Sequence, residues 1–321
     1  MKVVVHERTV DAAPLTGYSV GDVGESVGDR YEVILVTYQS RPLAEALLSR
    51  LPADVPVALV DNAQGADGMA ELADDRPHAR YLPGPGQGFA KAANLGARTS
   101  TADYLIFVNP DSGPTLAQLE TMVEDLEADP LLAAVGATTV LPDGRVELGV
   151  GGWEPTTMRC LVHALGLHRI FPRAGVYARP VPGKPLQLEW LSGACLAVPR
   201  EDFLSLGGFD ERFFVYNEDM AFGRRAREAG RTLRLRTDIL VPHLGGGSGE
   251  AKTRMFQMRG ASMIKYVADQ NSPLATSLMR ISLTVATTLR LIQARLEGRK
   301  DLARAHAAYL RGMWRGEPDM S

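Results

Sequence analysis

A chain of 321 residues, 45% of them apolar, can form one large α/β domain with an appendage or two modest domains, and is too apolar for intrinsic disorder. Its net charge of −3 offers no bulk attraction to nucleic acid, so no nucleic-acid partner is expected. Two cysteines, Cys160 and Cys195, cannot make a disulfide framework and match no zinc spacing, which leaves them as buried thiols.

Met1 to Arg8 lacks the apolar core of a signal peptide, and a strand is expected only at Val3 to Val5 before a Gly- and Asp-rich connector. Regular structure begins at Tyr31. Val33 to Val36 is a continuous apolar run, the pattern of a strand buried on both faces of a parallel sheet. A helix over Pro42 to Leu51 follows, with Leu43, Ala46, Leu47 and Leu51 on one face. Val57 to Val60 is a second buried strand and Ala79 to Leu82 a weaker one. A helix is predicted over Phe89 to Arg98, a strong strand over Tyr104 to Val108, a helix over Thr115 to Ala128 and a strand over Ala133 to Ala137. This alternation predicts a doubly wound, mostly parallel α/β sheet with right-handed crossovers.

From Trp153 to Pro185 the pattern weakens into an irregular segment, placed here as a mobile stretch over the sheet's rim. Regularity returns over Leu188 to Val198, then in helices at Arg200 to Leu206 and Asn217 to Ala229, and in short strands at Leu233 to Leu235 and Ile239 to Val241. After Ala251 the chain reads as helical to the end. The only near-bilayer-length apolar stretch starts at Pro273 and is interrupted by Arg280 and Arg290, so the chain is read as cytoplasmic. Three segments result: an N-terminal extension over 1–30, a catalytic domain over 31–265 and a C-terminal helical region over 266–321.

Ligands of such sheets sit beyond the carboxyl ends of the strands. The polar residues there are Thr37, Asp61-Asn62 and Asn109-Pro110-Asp111, which should converge on one rim. A carboxylate at Asp111 can hold a hard divalent cation against a diphosphate, or can simply make a turn. Glu218 and Asp219 begin a helix, where they either cap it or place one carboxylate in a cleft as a general base. His243 follows a strand and suits a manganese-like cation beside a carboxylate, or a structural role. The loop Gly245 to Gly249 lacks the lysine and spacing of a phosphate-binding loop and reads as a hinge or lid.

Taken in order, the motifs are Val33 to Tyr38, Leu59-Val60-Asp61-Asn62, Gly88-Phe89 through Asn94 to Gly96, Phe107 to Asp111, Trp190 to Cys195, Gly207 to Asp219 and His243 to Ser248. This series resembles the large family 2 of inverting glycosyltransferases, with the GT-A fold and its Rossmann-like nucleotide-binding half. Its Asn-Pro-Asp in place of Asp-x-Asp resembles the rhamnosyltransferase-like members. The resemblance spans Tyr31 to Tyr266. It implies that Thr37, Tyr38, Asp61, Asn62, Gly88, Phe89, Asn94, Asn109 and Asp111 bind a nucleotide diphosphate sugar, with Thr37, Asp61 and Asn62 at the base and ribose. Trp190 and Gly193 would shape the sugar and acceptor pocket. Asp111 and His243 would hold Mg²⁺ or Mn²⁺, Asp219 would be the general base and Glu218 would orient the acceptor. A single displacement follows, with dTDP-rhamnose as the expected donor and the hydroxyl of a lipid-linked glycan or natural product as acceptor. The chain departs from the family pattern at Gln39, Gly86, the Ala63-Gln64-Gly65-Ala66 run and Ala221, which bears on donor identity more than on reaction type.

Two other readings compete. A GT-A-like nucleotidyltransferase needs a Gly- and Lys/Arg-rich loop after the first strand, where this chain has Thr37-Tyr38-Gln39-Ser40. A non-catalytic paralogue that binds a partner would lack the carboxylates that Asp111 and Asp219 supply. The basic C-terminal helices either pack on the catalytic domain or touch an anionic membrane at its inner face, and a homo-oligomer is left open.

Overall fold

The computed structural model describes residues 30–181, 183–244 and 250–318. The expected strand at Val3 to Val5 and the loop Gly245 to Gly249 lie outside them.

Strands β1 (Tyr31–Thr37), β2 (Val57–Asp61), β3 (Ala79–Pro83) and β4 (Tyr104–Val108) alternate with helices α1 (Arg41–Leu48), α2 (Met69–Asp74) and α3 (Phe89–Thr99). Helix α4 (Leu116–Ala128), opened by a Thr115–Gln118 capping box, leads into β5 (Leu132–Val140). The eight-stranded sheet has the order β3-β2-β1-β4-β9-β5-β10-β7, completed by β7 (Leu186–Leu188), β9 (Cys195–Pro199) and β10 (Thr232–Pro242). Pairs β3–β2, β2–β1, β1–β4 and β5–β10 are parallel, whereas β9 runs antiparallel between β4 and β5 and β7 is an antiparallel edge. The expected mostly parallel sheet is therefore the one that forms.

Alternate residues of each central strand feed different cores, because successive side chains point to opposite faces. Val33 and Leu35 pack with Leu47, Leu119 and Met122 on one side, and Ile34 packs with Ala93, Phe107 and Phe209 on the other. Cys160 and Cys195 are free buried thiols.

Three local expectations are corrected. The run from Leu188 to Val198 is split by a turn at Ser192-Gly193-Ala194, so β8 (Trp190–Leu191) leaves the main sheet and pairs with β6 (Gly151–Gly152). The two short strands expected after Thr232 form one strand with a register shift between Arg236 and Leu240, where the Arg236 guanidinium bridges Asp238 and Asp125. The segment from Trp153 to Pro185 is not irregular throughout. It contains helix α5 (Thr157–Ala164), N-capped by the Thr156 hydroxyl, and two short 3-10 turns.

Helix α6 (Arg200–Ser205) packs below β9, and α7 (Glu218–Glu228) backs the site described below. The C-terminal region is three helices: α8 (Glu250–Gln270), α9 (Pro273–Leu296) and α10 (Lys300–Arg315). Helix α8 runs unbroken through the 265/266 boundary drawn from the sequence. Its rear is tied to α7 by Glu154, which accepts from the Tyr266 hydroxyl (2.6 Å) and from Arg227 (2.5 Å). A third core, including Trp190, Phe213, Tyr266, Met279 and Met313, joins these helices to the sheet domain.

Helices α8 and α10 cross at glycines. A β-carbon on Gly312 would collide with the Gln257 carbonyl, and one on Gly260 with the Tyr309 carbonyl. Gly312→Ala is therefore expected to destabilise the fold by about 2 kcal/mol through forced separation of two backbones. Thermal unfolding checks this, and an unchanged Tm would contradict the close crossing.

Candidate active site

The carboxyl ends of β1, β2 and β4 bring Thr37, Asp61 and Asn109 to one rim, as parallel strands require. Thr37 is buried and its hydroxyl has no hydrogen-bond partner among the described residues, while Tyr38 beside it is exposed. Asp61 is fully buried: one carboxylate oxygen accepts from the Ala63 amide (2.8 Å), the other from the Gly65 amide (2.6 Å) and the Tyr81 hydroxyl (3.2 Å). Its carboxylate therefore shapes the loop after β2. The Asn62 amide donates to the Gly88 carbonyl (3.0 Å) and accepts from the Gly86 amide (3.1 Å).

Gly88 adopts φ +97°, and a β-carbon there would run into the Phe214 carbonyl, which also accepts from the Phe89 amide (2.7 Å). Asn94 accepts from the Phe209 amide (2.8 Å) and donates to the Phe209 carbonyl (2.8 Å) and Glu211 (3.0 Å). Side-chain amides expected at the donor thus hold the nucleotide half against the segment that carries Glu218 and Asp219. Trp190 differs likewise from its expected place in a sugar pocket. It is 4% exposed, donates to the Trp153 carbonyl (3.3 Å) and meets Tyr177 edge-on, so it is a core residue. A β-carbon on Gly193 would stand 3.5 Å from the Phe89 ring, and the Gly193 amide donates to the Asp219 carboxylate.

At the end of β4 the Asn109 amide donates to the Ala194 carbonyl (2.9 Å), which fixes the Asn-Pro-Asp turn against β9. Asp111 then meets the end of β10. His243 Nε2 lies 3.1 Å from Asp111 Oδ1, and Nδ1 lies 2.7 Å from Glu147 Oε2, which also accepts from the Thr139 hydroxyl (2.9 Å). Burial would lower the imidazole pKa, but the two carboxylates outweigh it and raise His243 to about 10. Burial would likewise raise Glu147, but the His243 partner holds it below the usual carboxylate range.

As it stands the 3.1 Å separation of Asp111 Oδ1 and His243 Nε2 is that of an ion pair; with the Nε2 proton displaced, the same spacing would suit two adjacent ligands of a Mg²⁺- or Mn²⁺-like ion, about 3 Å apart. Glu147 on the far nitrogen would be the outer carboxylate that orients the imidazole if His243 held a metal. Among the described residues no three His, Cys, Asp or Glu side chains close a full cage, so waters and substrate phosphates would complete the shell.

Helix α7 begins after two consecutive non-glycine residues in the left-handed region, Tyr216 and Asn217, each at φ +69°. Such backbone costs free energy and persists where the surroundings enforce it. The turn sets Glu218 and Asp219 side by side. Burial pushes the Asp219 carboxyl up to about 6, opposed by hydrogen bonds from the Met220 amide (2.8 Å) and the Gly193 amide and by the charge of Arg259. Glu218 is buried with one oxygen lacking a hydrogen bond, and burial together with the Asp219 charge drives it well above the usual range. One carboxyl is thus neutral and the other ionised at neutral pH, the separation that acid/base chemistry uses.

Arg259, from α8, stacks its guanidinium 4.8 Å from the centre of the Tyr216 ring. Burial raises the Tyr216 hydroxyl, which feels Arg259, Glu218, Glu147 and Asp111 at once. The 111, 147, 218 and 259 side chains therefore gather around the Tyr216 hydroxyl, at the recess proposed below for the substrate. The sequence reading missed Glu147 and Arg259. Glu147 lies in a turn-rich stretch with no motif, and Arg259 is one of many arginines in an all-helical region, so neither carried a local signal.

This arrangement is a mostly parallel α/β sheet whose rim carries Thr37, Asp61 and an Asp111–His243 pair. Residues 32–161 match the model for glycosyl transferase family 2. The chain is 30% identical to the N-acetylglucosaminyl-diphospho-decaprenol L-rhamnosyltransferase of Mycobacterium tuberculosis over 82% of its own length and 92% of that protein. It is 25% identical to the low-salt glycan biosynthesis hexosyltransferase Agl10 of Haloferax volcanii over 64% of each chain. In fold it is similar to the mannosyltransferase PcManGT from Pyrobaculum calidifontis, solved with GDP-Man and Mn²⁺ (18% identity, TM-score 0.57, covering 92% of this chain and 91% of that one). It is also similar to GalNAc-T7, solved with UDP, GalNAc and Mn²⁺ (12% identity, TM-score 0.50, covering 84% of this chain and 57% of that one). The chain belongs to glycosyltransferase family 2, is rhamnosyltransferase-like within it, and has the GT-A fold.

Proposed function

We propose that this glycosyltransferase is an inverting rhamnosyltransferase that uses dTDP-rhamnose and a divalent cation to glycosylate the hydroxyl of a lipid-linked glycan. What supports the reaction type is the Asp219 carboxyl, which accepts from the Met220 amide (2.8 Å) and the Gly193 amide, beside Glu218, which shares the surroundings of Tyr216 with Asp111 and Glu147. Similarity to the mycobacterial rhamnosyltransferase supports the sugar and the lipid-linked acceptor.

In this reading Asp219 removes the acceptor hydroxyl's proton as that oxygen attacks the anomeric carbon from the face opposite the leaving group. A carboxyl with a pKa of about 6 is mostly ionised at neutral pH yet still basic enough to take the proton. Glu218, kept neutral by burial, donates a hydrogen bond that orients the acceptor. Arg259 offsets negative charge in the recess and helps keep Asp219 ionised. Asp111 and His243 would hold Mg²⁺ or Mn²⁺, which neutralises charge developing on the leaving nucleotide diphosphate. Thr37 and Tyr38 would meet the base and ribose, with Asp61 and Asn62 acting through the loop they shape. One attack without a covalent intermediate inverts the anomeric centre.

A nucleotide-release screen across sugar donors, with and without Mn²⁺, tests this. dTDP-rhamnose with Mn²⁺ should give the fastest release, and the product should carry the anomeric configuration opposite to the donor's. Retention of configuration, or clear preference for another sugar, overturns the corresponding part. Glu147→Gln removes the carboxylate behind His243 and should weaken Mn²⁺ affinity about 10–100-fold while the fold is kept. A Mn²⁺ titration of activity reads this, and an unchanged half-saturation would remove Glu147 from the role.

A further inference from the structure

Helix α9 is apolar on two opposite faces. Met279, Leu283 and Ala286 are buried against the protein. On the other side Leu274, Leu278, Ile281, Val285, Leu289 and Ile292 recur at steps of three or four, and all are between 46% and 72% exposed. Leu296, 84% exposed, ends the row. At about 100° per residue these positions fall within one narrow stripe that runs the length of the helix, about 36 Å for 24 residues. A contiguous apolar strip of this extent on a protein surface marks an interaction site.

The charge around the stripe selects its occupant. Helix α9 carries no acidic residue, and its only charged side chains are Arg280, Arg290 and Arg295. Between 273 and 315 the chain has eight Arg or Lys against two acidic residues, although its whole net charge is −3. Arg295, Arg299, Lys300 and Arg304 are exposed at and just beyond the end of the stripe, where Glu297 pairs with Arg299 (3.4 Å) and Asp301 with Arg304 (2.5 Å), which leaves an excess of two cations. No helix among the described residues is long and apolar enough to cross a membrane, so α9 would lie along a surface. An exposed apolar strip with an excess of cations at one end is the chemistry of a helix seated in the headgroup region of an anionic bilayer.

We propose that the outer face of α9 docks the protein on an anionic lipid surface, with the stripe among the acyl chains and the basic cluster after Leu296 on the headgroups. The sequence suggests membrane contact through charge alone. The structure adds the uncharged stripe, which makes the contact depend on burial of apolar side chains as well as on salt.

Flotation with vesicles of equimolar phosphatidylglycerol and phosphatidylcholine tests this with the full chain. Wild-type protein should float with these vesicles and far less with phosphatidylcholine alone. The double substitution Ile281→Glu/Leu289→Glu, at exposed positions away from the recess, should cut recovery roughly tenfold or more while activity on a water-soluble acceptor and the circular dichroism spectrum stay unchanged. Arg299→Glu/Lys300→Glu should lower recovery with the anionic vesicles only, and added salt should mimic it. Equal recovery of wild type and Ile281→Glu/Leu289→Glu overturns the proposal, as does failure of the wild type to float. Sedimentation showing a dimer that Ile281→Glu/Leu289→Glu dissociates, without vesicle binding, assigns the stripe to a second copy and overturns it as well.

Discussion

Asp219→Asn is expected to lower kcat by about 10³-fold or more, with affinity for the nucleotide diphosphate sugar changed less than about twofold. The amide keeps the shape and, through its one carbonyl oxygen, can still accept from the Met220 amide, but it cannot take a proton. Wild-type turnover should rise with pH through about 6 as the carboxylate forms, and the variant's residual turnover should lose that limb. The same substitution has a stability consequence of known sign. The folded-state pKa of Asp219 is raised from 3.8 to about 6, so the folded state holds this proton more tightly than the unfolded chain does. That contribution is fully present below about pH 3.8 and is lost as pH rises through 6, leaving the ionised form at a cost of up to about 3 kcal/mol. Asp219→Asn removes that cost, and its Tm relative to wild type should climb between pH 4 and pH 8. Retained turnover, or a Tm difference independent of pH, would remove Asp219 from the role of base.

Asp111→Asn is the second large effect. Loss of one of the two proposed protein ligands should cut kcat at fixed Mn²⁺ about 10²–10³-fold and shift the Mn²⁺ needed for half-maximal rate upward. Binding of the nucleotide diphosphate in the presence of Mn²⁺ should weaken in parallel, whereas binding of the nucleoside alone should not change. Isothermal titration of both ligands separates these. An Asp111→Asn protein with wild-type Mn²⁺ dependence would mean that the Asp111–His243 pair serves only to join β4 to the end of β10.

The parallel part of the sheet was legible because buried strands advertise themselves: Val33 to Val36, Val57 to Val60 and Tyr104 to Val108 are apolar at every position, and the polar residues that end them fall on one rim by the geometry of parallel pairing. The antiparallel insertion of β9 between β4 and β5 was not legible. It depends on pairing across many residues of chain, and only the turn at Ser192-Gly193-Ala194 hints at it. Helix α5 was missed because Pro155 and the prolines after Phe171 diluted the periodicity, although Thr156 with Arg159 carried a capping pattern.

In the site, Asp111, Glu218, Asp219 and His243 announced themselves by following strands or opening a helix. Asn62, Asn94 and Trp190 stood in motifs equally well, yet their polar atoms are engaged inside the fold. A motif marks a position that the architecture needs. It does not say whether the side chain faces a ligand or a neighbouring loop. Glu147 and Arg259 show the converse, since they reach the recess from segments without local pattern, β5's following turn and the first C-terminal helix. Arg259 also gives that helix a part in the site, beyond packing on it.

Crystals grown with dTDP and Mn²⁺ test the common recess most directly. The metal should sit between Asp111 and His243 Nε2, with the diphosphate on it facing Arg259 and the Asp219 carboxylate lining the open space beyond the terminal phosphate. A metal or diphosphate bound away from Asp111, or an Asp219 carboxylate screened from the diphosphate by protein, would contradict a single transfer site built from these residues.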